Sequence, residues 1–148
     1  MIAVLQRVKK SKVVVDGNIV GKIWNGLNIL LGVADDDEIS DADFLTKKIS
    51  KFRIFPDKNC NMNLSIQDVK GSVLVISQFT LCADLKRGNR PGFSYTAKPE
   101  IANELYEYFI KKLKNYDIPV ESGSFGATME VHLINDGPVT FVLNSKEK

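Results

Sequence analysis

The chain has 148 residues, of which 44% are hydrophobic and 26% are charged, and its formal net charge is +2 at pH 7. This composition is that of an ordinary globular protein, which excludes a disordered chain or a coiled coil, and the length suits one domain. A net charge of +2 is too small for bulk capture of nucleic acid, although local clusters of cations can hold a few phosphates. We therefore expect a single domain over residues 1–148.

The sequence indicates neither a membrane span nor a metal site. No run approaches the roughly 18 apolar residues that a membrane helix needs, and the first residues do not form a secretion signal. Cys60 and Cys82 are isolated thiols, and His132 is the only histidine, which leaves no zinc ligand set. We expect a cytoplasmic protein with no membrane partner and no metal.

The first half of the chain predicts a β-meander followed by a helix. Strands are expected over 2–8, 12–15 and 27–33, with a tight turn at Asp16-Gly17. The acidic run 35–38 is interpreted as a solvated helix start, because it lacks the alternating spacing of metal ligands.

That first helix has a predicted cap and a predicted buried face. Ser40 is the expected N-cap, and Leu45, Ile49 and Phe52 share one side of the helix. A polar loop is expected to follow over 56–63.

The second half predicts an apolar strand, a helix and further strands. The strand covers 73–76, and Pro99 opens a helix whose buried face carries Ile101, Leu105, Tyr108 and Leu113. The final strands are expected at 119–124, 128–134 and 139–144, with a turn at 135–138. This order predicts an α+β fold with two mostly antiparallel, barrel-like β-sheets and two main helices packed on one side.

The sequence does not contain the residues that common catalytic motifs require. Segment 17–22 is too short for a phosphate-binding loop and lies in the predicted hairpin. A Ser-His-Asp triad would need His132, which we expect to be a half-buried strand residue, and there is no GxSxG motif. No pair of carboxylates is singled out by a pocket signal.

Three segments contain polar or charged residues that leave two interpretations open. Ser77, Gln78, Phe79 and Thr80 follow the apolar strand, and alternation would place Ser77 and Phe79 on one face. These side chains either satisfy a neighbouring loop or line the mouth of a pocket.

The segment 86–95 combines Lys86, Arg87 and Arg90 with two aromatic residues. Such a loop either contacts phosphates and stacks on a base, or is simply solvated. Gly137-Pro138 lies in the predicted turn at 135–138, and the residues alone favour an ordinary trans peptide there.

Taken together, several motifs resemble the D-aminoacyl-tRNA deacylase family from Met1 to about Ser145. The segments that carry the resemblance are Val4-Leu5-Gln6-Arg7-Val8, Val15-Asp16-Gly17, Leu31-Gly32-Val33, Ser77-Gln78-Phe79-Thr80-Leu81, Gly88-x-Arg90-Pro91-x-Phe93, Phe125-Gly126-Ala127 and Asn135-Asp136-Gly137-Pro138-Val139-Thr140. The last is similar to the Gly-cisPro motif of that family.

The resemblance implies a homodimer that hydrolyses the ester between a D-amino acid and the 3′-terminal adenosine of tRNA. Glycine, including glycine mischarged on tRNA-Ala, would also be removed, whereas L-aminoacyl-tRNA would be rejected. Gly137 and Pro138 would reach into the partner subunit's pocket and exclude an L side chain.

The resemblance also implies chemistry without a cofactor or a metal, in which the 2′-hydroxyl of the RNA assists the attack of water. Ser77, Gln78 and Thr80 would shape the adenosine end of the pocket, and backbone N–H groups near Phe79 and Thr80 would stabilise the oxyanion. Phe79 or Phe125 would contact the terminal base. Thr80 as a covalent nucleophile is the rival mechanism.

A different class of function is a non-catalytic homodimer that binds nucleic acid. It would use the 86–95 loop and the cluster from Arg7 to Lys12. Release of free amino acid separates the two hypotheses.

Overall fold

A computed structural model describes residues 1–86 and 88–147 and contains eight strands and two α-helices. The strands are β1 (Ile2–Val15), β2 (Asn18–Ile23), β3 (Gly26–Gly32), β4 (Phe55–Pro56), β5 (Met62–Leu64), β6 (Ser72–Ser77), β7 (Val120–Ser122) and β8 (Glu130–Asn144). The helices are α1 (Ile39–Ser50) and α2 (Pro99–Lys114), and a short 3₁₀ helix covers Phe79–Cys82.

The main sheet has the order β2-β1-β3-β6-β7, and β8 pairs with the other side of β1. β1 is antiparallel to β2, β3 and β8, whereas β3 with β6 and β6 with β7 are parallel. The sheet nearly closes where β2 meets β7, because a Cβ on Gly21 would lie 2.4 Å from the carbonyl oxygen of Ser122. The structure confirms the predicted α+β class.

Two hydrophobic clusters hold this fold together. The larger one lies between the sheet and the helices and includes Leu45 and Phe109, both fully buried. The smaller one is formed by residues of β1, β2 and β6 and includes Val13, Leu74 and Ile76. Each buried aliphatic side chain stabilises the fold by roughly 1.5–3 kcal/mol relative to an exposed position.

Both long strands differ from their predicted boundaries. β1 continues through the expected gap after residue 8, because β3 and then β2 pair with its successive halves. The predicted turn at 135–138 is wrong, because β8 continues through these residues. Gln6 pairs with Thr140, and Val8 pairs with Asn135. Four residues of β8 therefore bulge out opposite Arg7 alone.

The start of α1 also differs from the prediction. Its N-cap is Glu38 rather than Ser40, and the Asp41 carboxylate accepts the Glu38 N–H at 2.9 Å. Asp37 is not solvated: it is buried, accepts the Ala34 N–H at 2.6 Å and contacts the Met1 amino group. A charge partner makes this burial tolerable.

The structure also differs from the prediction in α2 and in the segment after α1. The buried face of α2 consists of Leu105, Tyr106, Phe109 and Leu113, while Ile101 is exposed. The predicted loop at 56–63 contains part of the small β4–β5 hairpin. Among the described residues, no helix is long and apolar enough to cross a bilayer.

Candidate active site

A cavity of about 570 Å³ opens at the end of β6, beside the start of α2 and the loop that follows β7. Four of the residues that line it were singled out by the sequence: Ser77, Gln78, Phe79 and Phe125. The lining is mostly apolar, and no charged side chain contributes to it in the part of the chain that the structure describes. We call this cavity the pocket.

The chain leaves the sheet at the mouth of the pocket. Ile76 is buried in β6, and the N–H of Gln78 still donates to the Leu31 carbonyl at 2.8 Å. The predicted alternation then fails, because residues 79–82 turn into the 3₁₀ helix. The first N–H groups of a helix have no acceptor within it. Those of Phe79 and Thr80 find no backbone acceptor within residues 1–86 and 88–147.

The hydroxyl of Thr80 has one neighbour that matters chemically. Gln78 Nε2 donates to Thr80 Oγ1 at 2.5 Å. Among the described residues, this is the only hydrogen bond that the hydroxyl makes. No histidine, lysine or carboxylate contacts it there. Thr80 is exposed and lies beside the pocket rather than in its lining. A nucleophile needs an adjacent base, so this environment does not favour Thr80 in that role.

The base of the pocket is aromatic. Tyr106 of α2 is buried, its hydroxyl donates to the Val75 carbonyl at 2.8 Å, and its ring centroid lies 5.7 Å from that of Phe125. Burial raises the pKa of Tyr106 to about 12, against the opposing effect of hydrogen bonds with Ser122 and Gly123. Tyr106 is therefore neutral at physiological pH and acts as a packing and hydrogen-bonding group.

Tyr106 was missed by the sequence analysis, which assigned Tyr108 to the buried side of α2. The spacing of Tyr106 to Phe109 and Leu113 is also helical and could have indicated it. Tyr108 instead lies between the two helices, where its hydroxyl donates to Asp43 at 2.9 Å.

A basic loop rises beside the pocket. The rings of Phe79 and Phe93 lie 5.1 Å apart, and both are largely exposed. The loop is closed by two hydrogen bonds between Asp84 and Gly92, at 2.8 and 2.9 Å. Lys86 and Arg90 are exposed on it, and the third predicted cation, Arg87, lies outside the described residues.

Gly137 and Pro138 are exposed on β8 and do not line the pocket of their own chain. They belong to the four-residue bulge at 136–139, which we call the Gly-Pro bulge. Their peptide bond is cis, in contrast to what the residues alone favour and as the resemblance implies. Gly137 has φ +132°, a value that favours glycine.

Arg7 of β1 connects the bulge to the rest of the protein through hydrogen bonds. Arg7 is 8% exposed, its Nη1 donates to the Ile54 carbonyl at 2.6 Å and its Nε donates to the Asp136 carbonyl at 3.1 Å. The Asp136 carboxylate lies 3.3 Å from the same nitrogen. These contacts hold the residue before Gly137 in place.

The described residues contain no cluster of three or more histidine, cysteine, aspartate or glutamate side chains that could hold a metal ion. His132 is on β8, where its side chain is 50% exposed and lies 3.1 Å from Glu130. It does not line the pocket. The pocket thus offers backbone donors, amide and hydroxyl groups and aromatic faces, which are groups that can bind an uncharged polar ligand.

The sequence matches a known family over almost its whole length. The family model described as D-Tyr-tRNA(Tyr) deacylase covers residues 4–144. The chain is 54% identical over 147 residues to a D-aminoacyl-tRNA deacylase of Thermosipho africanus, with 99% of each chain covered. A D-aminoacyl-tRNA deacylase of Persephonella marina is 56% identical over 146 residues, again with 99% of both covered.

Solved structures share the fold. One titled c-Myc DNA Unwinding Element Binding Protein superposes with a TM-score of 0.91 at 34% identity, covering 97% of this chain and 98% of the other. A second, titled as a probable eukaryotic D-amino acid tRNA deacylase, has a TM-score of 0.83 at 17% identity, with 96% and 97% covered. The second likeness concerns the fold alone.

Proposed function

The chain belongs to the D-Tyr-tRNA(Tyr) deacylase family, and we propose from this membership and from the pocket that it hydrolyses the ester of D-aminoacyl-tRNA. The products are the free D-amino acid and tRNA. Glycyl-tRNA, including glycine mischarged on tRNA-Ala, is a further substrate, and L-aminoacyl-tRNA is rejected. Family membership bears out the resemblance drawn from the motifs. We further propose that residues 1–148 act as one catalytic domain.

Among the residues that the structure describes, no charged side chain lines the pocket, and two backbone N–H groups beside it have no backbone acceptor; this observation carries the proposal. The N–H groups of Phe79 and Thr80 are free to stabilise the oxyanion that forms when water attacks the ester carbonyl. Because no charged side chain lines the pocket among the described residues, the 2′-hydroxyl of the terminal ribose takes the role of assisting the water. Positioning supplies much of the remaining rate enhancement.

The terminal adenosine occupies the apolar part of the pocket. Phe125 and Phe79 offer aromatic faces to the base, and stacking on such a face is worth roughly 1–3 kcal/mol per base. Ser77 and Gln78 orient the ribose and the ester, and Gln78 is itself held by Thr80. Lys86, Arg87 and Arg90 contact phosphates of the tRNA outside the pocket.

A homodimer completes the site. β8 pairs only with β1 among the described strands, which leaves its other edge free, and exposed apolar residues Val131, Ile134 and Val142 lie along it. The Gly-Pro bulge sits on this strand and does not contact the pocket of its own chain. We therefore place the bulge in the partner subunit's pocket, where the carbonyl oxygens of Gly137 and Pro138 hold the substrate amino group.

The bulge then distinguishes D from L substrates by steric exclusion. A D side chain points away from the bulge, glycine has no side chain to exclude, and an L side chain would clash with the backbone of Gly137 and Pro138. A rigid backbone is suited to this task, since it does not yield as a side chain would. We infer a cytoplasmic location, where translation uses aminoacylated tRNA.

Deacylation of three substrates side by side tests the proposal. D-tyrosyl-, L-tyrosyl- and glycyl-tRNA are incubated with the protein and with a chelator, and the release of free amino acid is followed. We expect rapid loss of the D and glycyl esters and persistence of the L ester. Persistence of all three would favour the non-catalytic nucleic-acid-binding homodimer, whereas loss of the L ester would refute the role of the bulge.

A further inference from the structure

The rings of Phe79 and Phe93 extend the aromatic lining of the pocket onto the basic loop, which covers residues 84–86 and 88–96. Phe79 lines the pocket and Phe93 does not, and their ring centroids lie 5.1 Å apart at an interplanar angle of 55°. Phe79 is 59% exposed and Phe93 is 42% exposed. The pair is therefore an exposed aromatic surface that begins in the pocket and ends outside it. We call it the aromatic platform.

The backbone of the basic loop holds Phe93 in place. The Phe93 carbonyl accepts hydrogen bonds from both the N–H and the hydroxyl of Thr96, a residue that lines the pocket. The N–H of Ala97 donates to the Val33 carbonyl at 3.1 Å, which connects the end of the loop to the segment after β3. A ring whose backbone is fixed in this way loses little conformational freedom when it binds a ligand.

Cations without a counter-charge lie on the same loop. Lys86 and Arg90 are exposed, and neither forms an ion pair within residues 1–86 and 88–147. The carboxylate of Asp84 instead accepts the N–H of Lys86 at 2.9 Å. Aromatic rings beside free cations are typical of sites for single-stranded nucleic acid, because bases stack on the rings and phosphates contact the cations.

The aromatic platform is separate from the surface that we assign to the homodimer. That surface follows β8, where Val131 and Ile134 also border a groove across β1, β2 and β8. The cations of this groove are Lys10, Lys12 and Lys22. None of the described residues of the basic loop lines the groove, so the platform is a different face of the molecule.

We propose that Phe93 is the stacking surface for the base of the penultimate nucleotide of the tRNA, while the pocket holds the terminal adenosine. This inference rests on the proposed function and adds a second nucleotide to the recognised substrate. Successive bases of a strand lie about 3.4 Å apart when stacked and farther apart when splayed, so the 5.1 Å step from Phe79 to Phe93 suits neighbouring nucleotides. The 3′ end must then be unpaired, because the faces of a base within a duplex are covered.

Two substrates separate stacking from contact with phosphate. One is D-tyrosyl-tRNA, and the other is the same molecule with an abasic penultimate nucleotide, which retains the ribose and the phosphates. For the wild type, kcat/KM of the intact substrate should exceed that of the abasic substrate by at least about 5-fold, as expected for one base on an aromatic ring. Equal values would overturn the inference.

The variant Phe93→Leu removes the aromatic face and retains an apolar side chain next to Phe79. It should hydrolyse the intact and the abasic substrate with equal kcat/KM. The loss on the intact substrate should lie in KM rather than in kcat, because stacking stabilises the bound substrate and the transition state alike. Phe93→Tyr retains the ring and should keep the preference for the intact substrate. A preference that survives in Phe93→Leu would show that the base binds elsewhere.

A matched control shortens another exposed apolar side chain of the same loop. Leu85 is 72% exposed, and Leu85→Ala should keep the wild-type preference for the intact substrate. Loss of that preference in Leu85→Ala as well as in Phe93→Leu would indicate a general disturbance of the loop and would contradict a specific role of Phe93.

Two further outcomes keep the inference separate from the proposed function. If the wild type does not hydrolyse D-tyrosyl-tRNA, the proposed function fails. If it does, but Phe93→Leu lowers kcat on both substrates equally or changes the oligomeric state in light scattering, Phe93 shapes the pocket or a subunit contact and is not a stacking surface. An unchanged oligomeric state with a loss confined to KM of the intact substrate supports the inference.

Discussion

The pocket and the Gly-Pro bulge both depend on a strand that departs from regular pairing, but they differ in what surrounds them. The pocket is enclosed by residues of its own chain, from the end of β6 to Tyr106 and Phe125. The bulge is anchored by Arg7, which donates to the Asp136 carbonyl, whereas Gly137 and Pro138 are exposed to solvent. One region is thus a cavity within a chain, and the other is an exposed segment, which our proposal places in the pocket of a second chain.

This difference separates two physical tasks. Binding an adenosine needs apolar area and a few polar groups, which one chain can bury. Reading chirality needs an unyielding wall on the far side of the substrate, and an exposed, anchored backbone segment can supply that wall to a second chain.

The largest effect is expected for Gly137→Val. A Cβ at this position would lie 2.8 Å from Val139 Cγ2 and 2.9 Å from the Val139 nitrogen, and φ is +132°, so the bulge must move. A displacement of about 1 Å in a positioning group costs on the order of a hundredfold in rate. Single-turnover deacylation of D-tyrosyl-tRNA should fall by at least that factor.

Two controls show whether the loss arises in the partner's pocket. Gly17→Val places a side chain at φ +79° in the β1–β2 turn, where nothing lies within 4 Å, and should retain activity. Co-expression of Gly137→Val with Ala127→Trp, which fills the pocket, should restore activity because a mixed dimer has one intact pocket facing one intact bulge. No recovery in isolated mixed dimers would contradict insertion between subunits.

A smaller effect is expected for Thr80→Ala. This variant removes the acceptor for Gln78 Nε2, and the loss of one hydrogen bond costs about 0.5–1.5 kcal/mol, or roughly 2- to 12-fold in rate. Thr80→Ser retains the hydroxyl and should match the wild type. A loss of about a thousandfold in single-turnover rate for Thr80→Ala would instead support a covalent nucleophile, since removal of such a group costs at least that much.

The smallest effect on activity is expected for Asp41→Asn, which lies outside both regions. Burial raises the pKa of Asp41, but hydrogen bonds from the Glu38 N–H, Ser145 and Lys146, together with the charge of Lys146, lower it to about 2. The folded pKa is below the usual 3.8, so the stabilisation is present above pH 4 and is lost as the pH falls towards 2.

Urea unfolding of Asp41→Asn measures this contribution. The free energy of unfolding at pH 7 should be lower by about 2 kcal/mol, while deacylation by the folded protein is unchanged. The difference from the wild type should shrink between pH 4 and pH 2. A constant difference over that range would show that packing, rather than ionisation of Asp41, is responsible.

Most secondary structure was predictable because it depends on local patterns. The Asp16-Gly17 turn, the apolar strand at 73–76 and the helix from Pro99 follow from turn residues and periodicity. The cap of α1 was assigned wrongly to Ser40 because several adjacent residues can cap a helix, and the choice of Glu38 depends on the contacts of Asp41 and Lys146.

The segments around the site were harder to predict, for a different reason. Asn135-Asp136-Gly137-Pro138 has the composition of a turn, but pairing with β1 on both sides draws it into a single strand with a bulge. Similarly, residues 79–82 continue the alternation of β6 in sequence, yet form a 3₁₀ helix once β6 reaches the edge of the sheet. Tertiary pairing overrides local preference in both places.

Local patterns in the sequence were enough to predict most of the helices and strands, the uncharged character of Ser77 to Thr80 and, through the motifs, the family. Long-range packing, in contrast, places Tyr106 beside the pocket, Arg7 against the bulge, and Lys10, Lys12 and Lys22 along one groove. The physical reason is that local propensity acts over a few neighbouring residues. Sites, in contrast, arise where strand register and helix packing bring together residues that are distant in the chain.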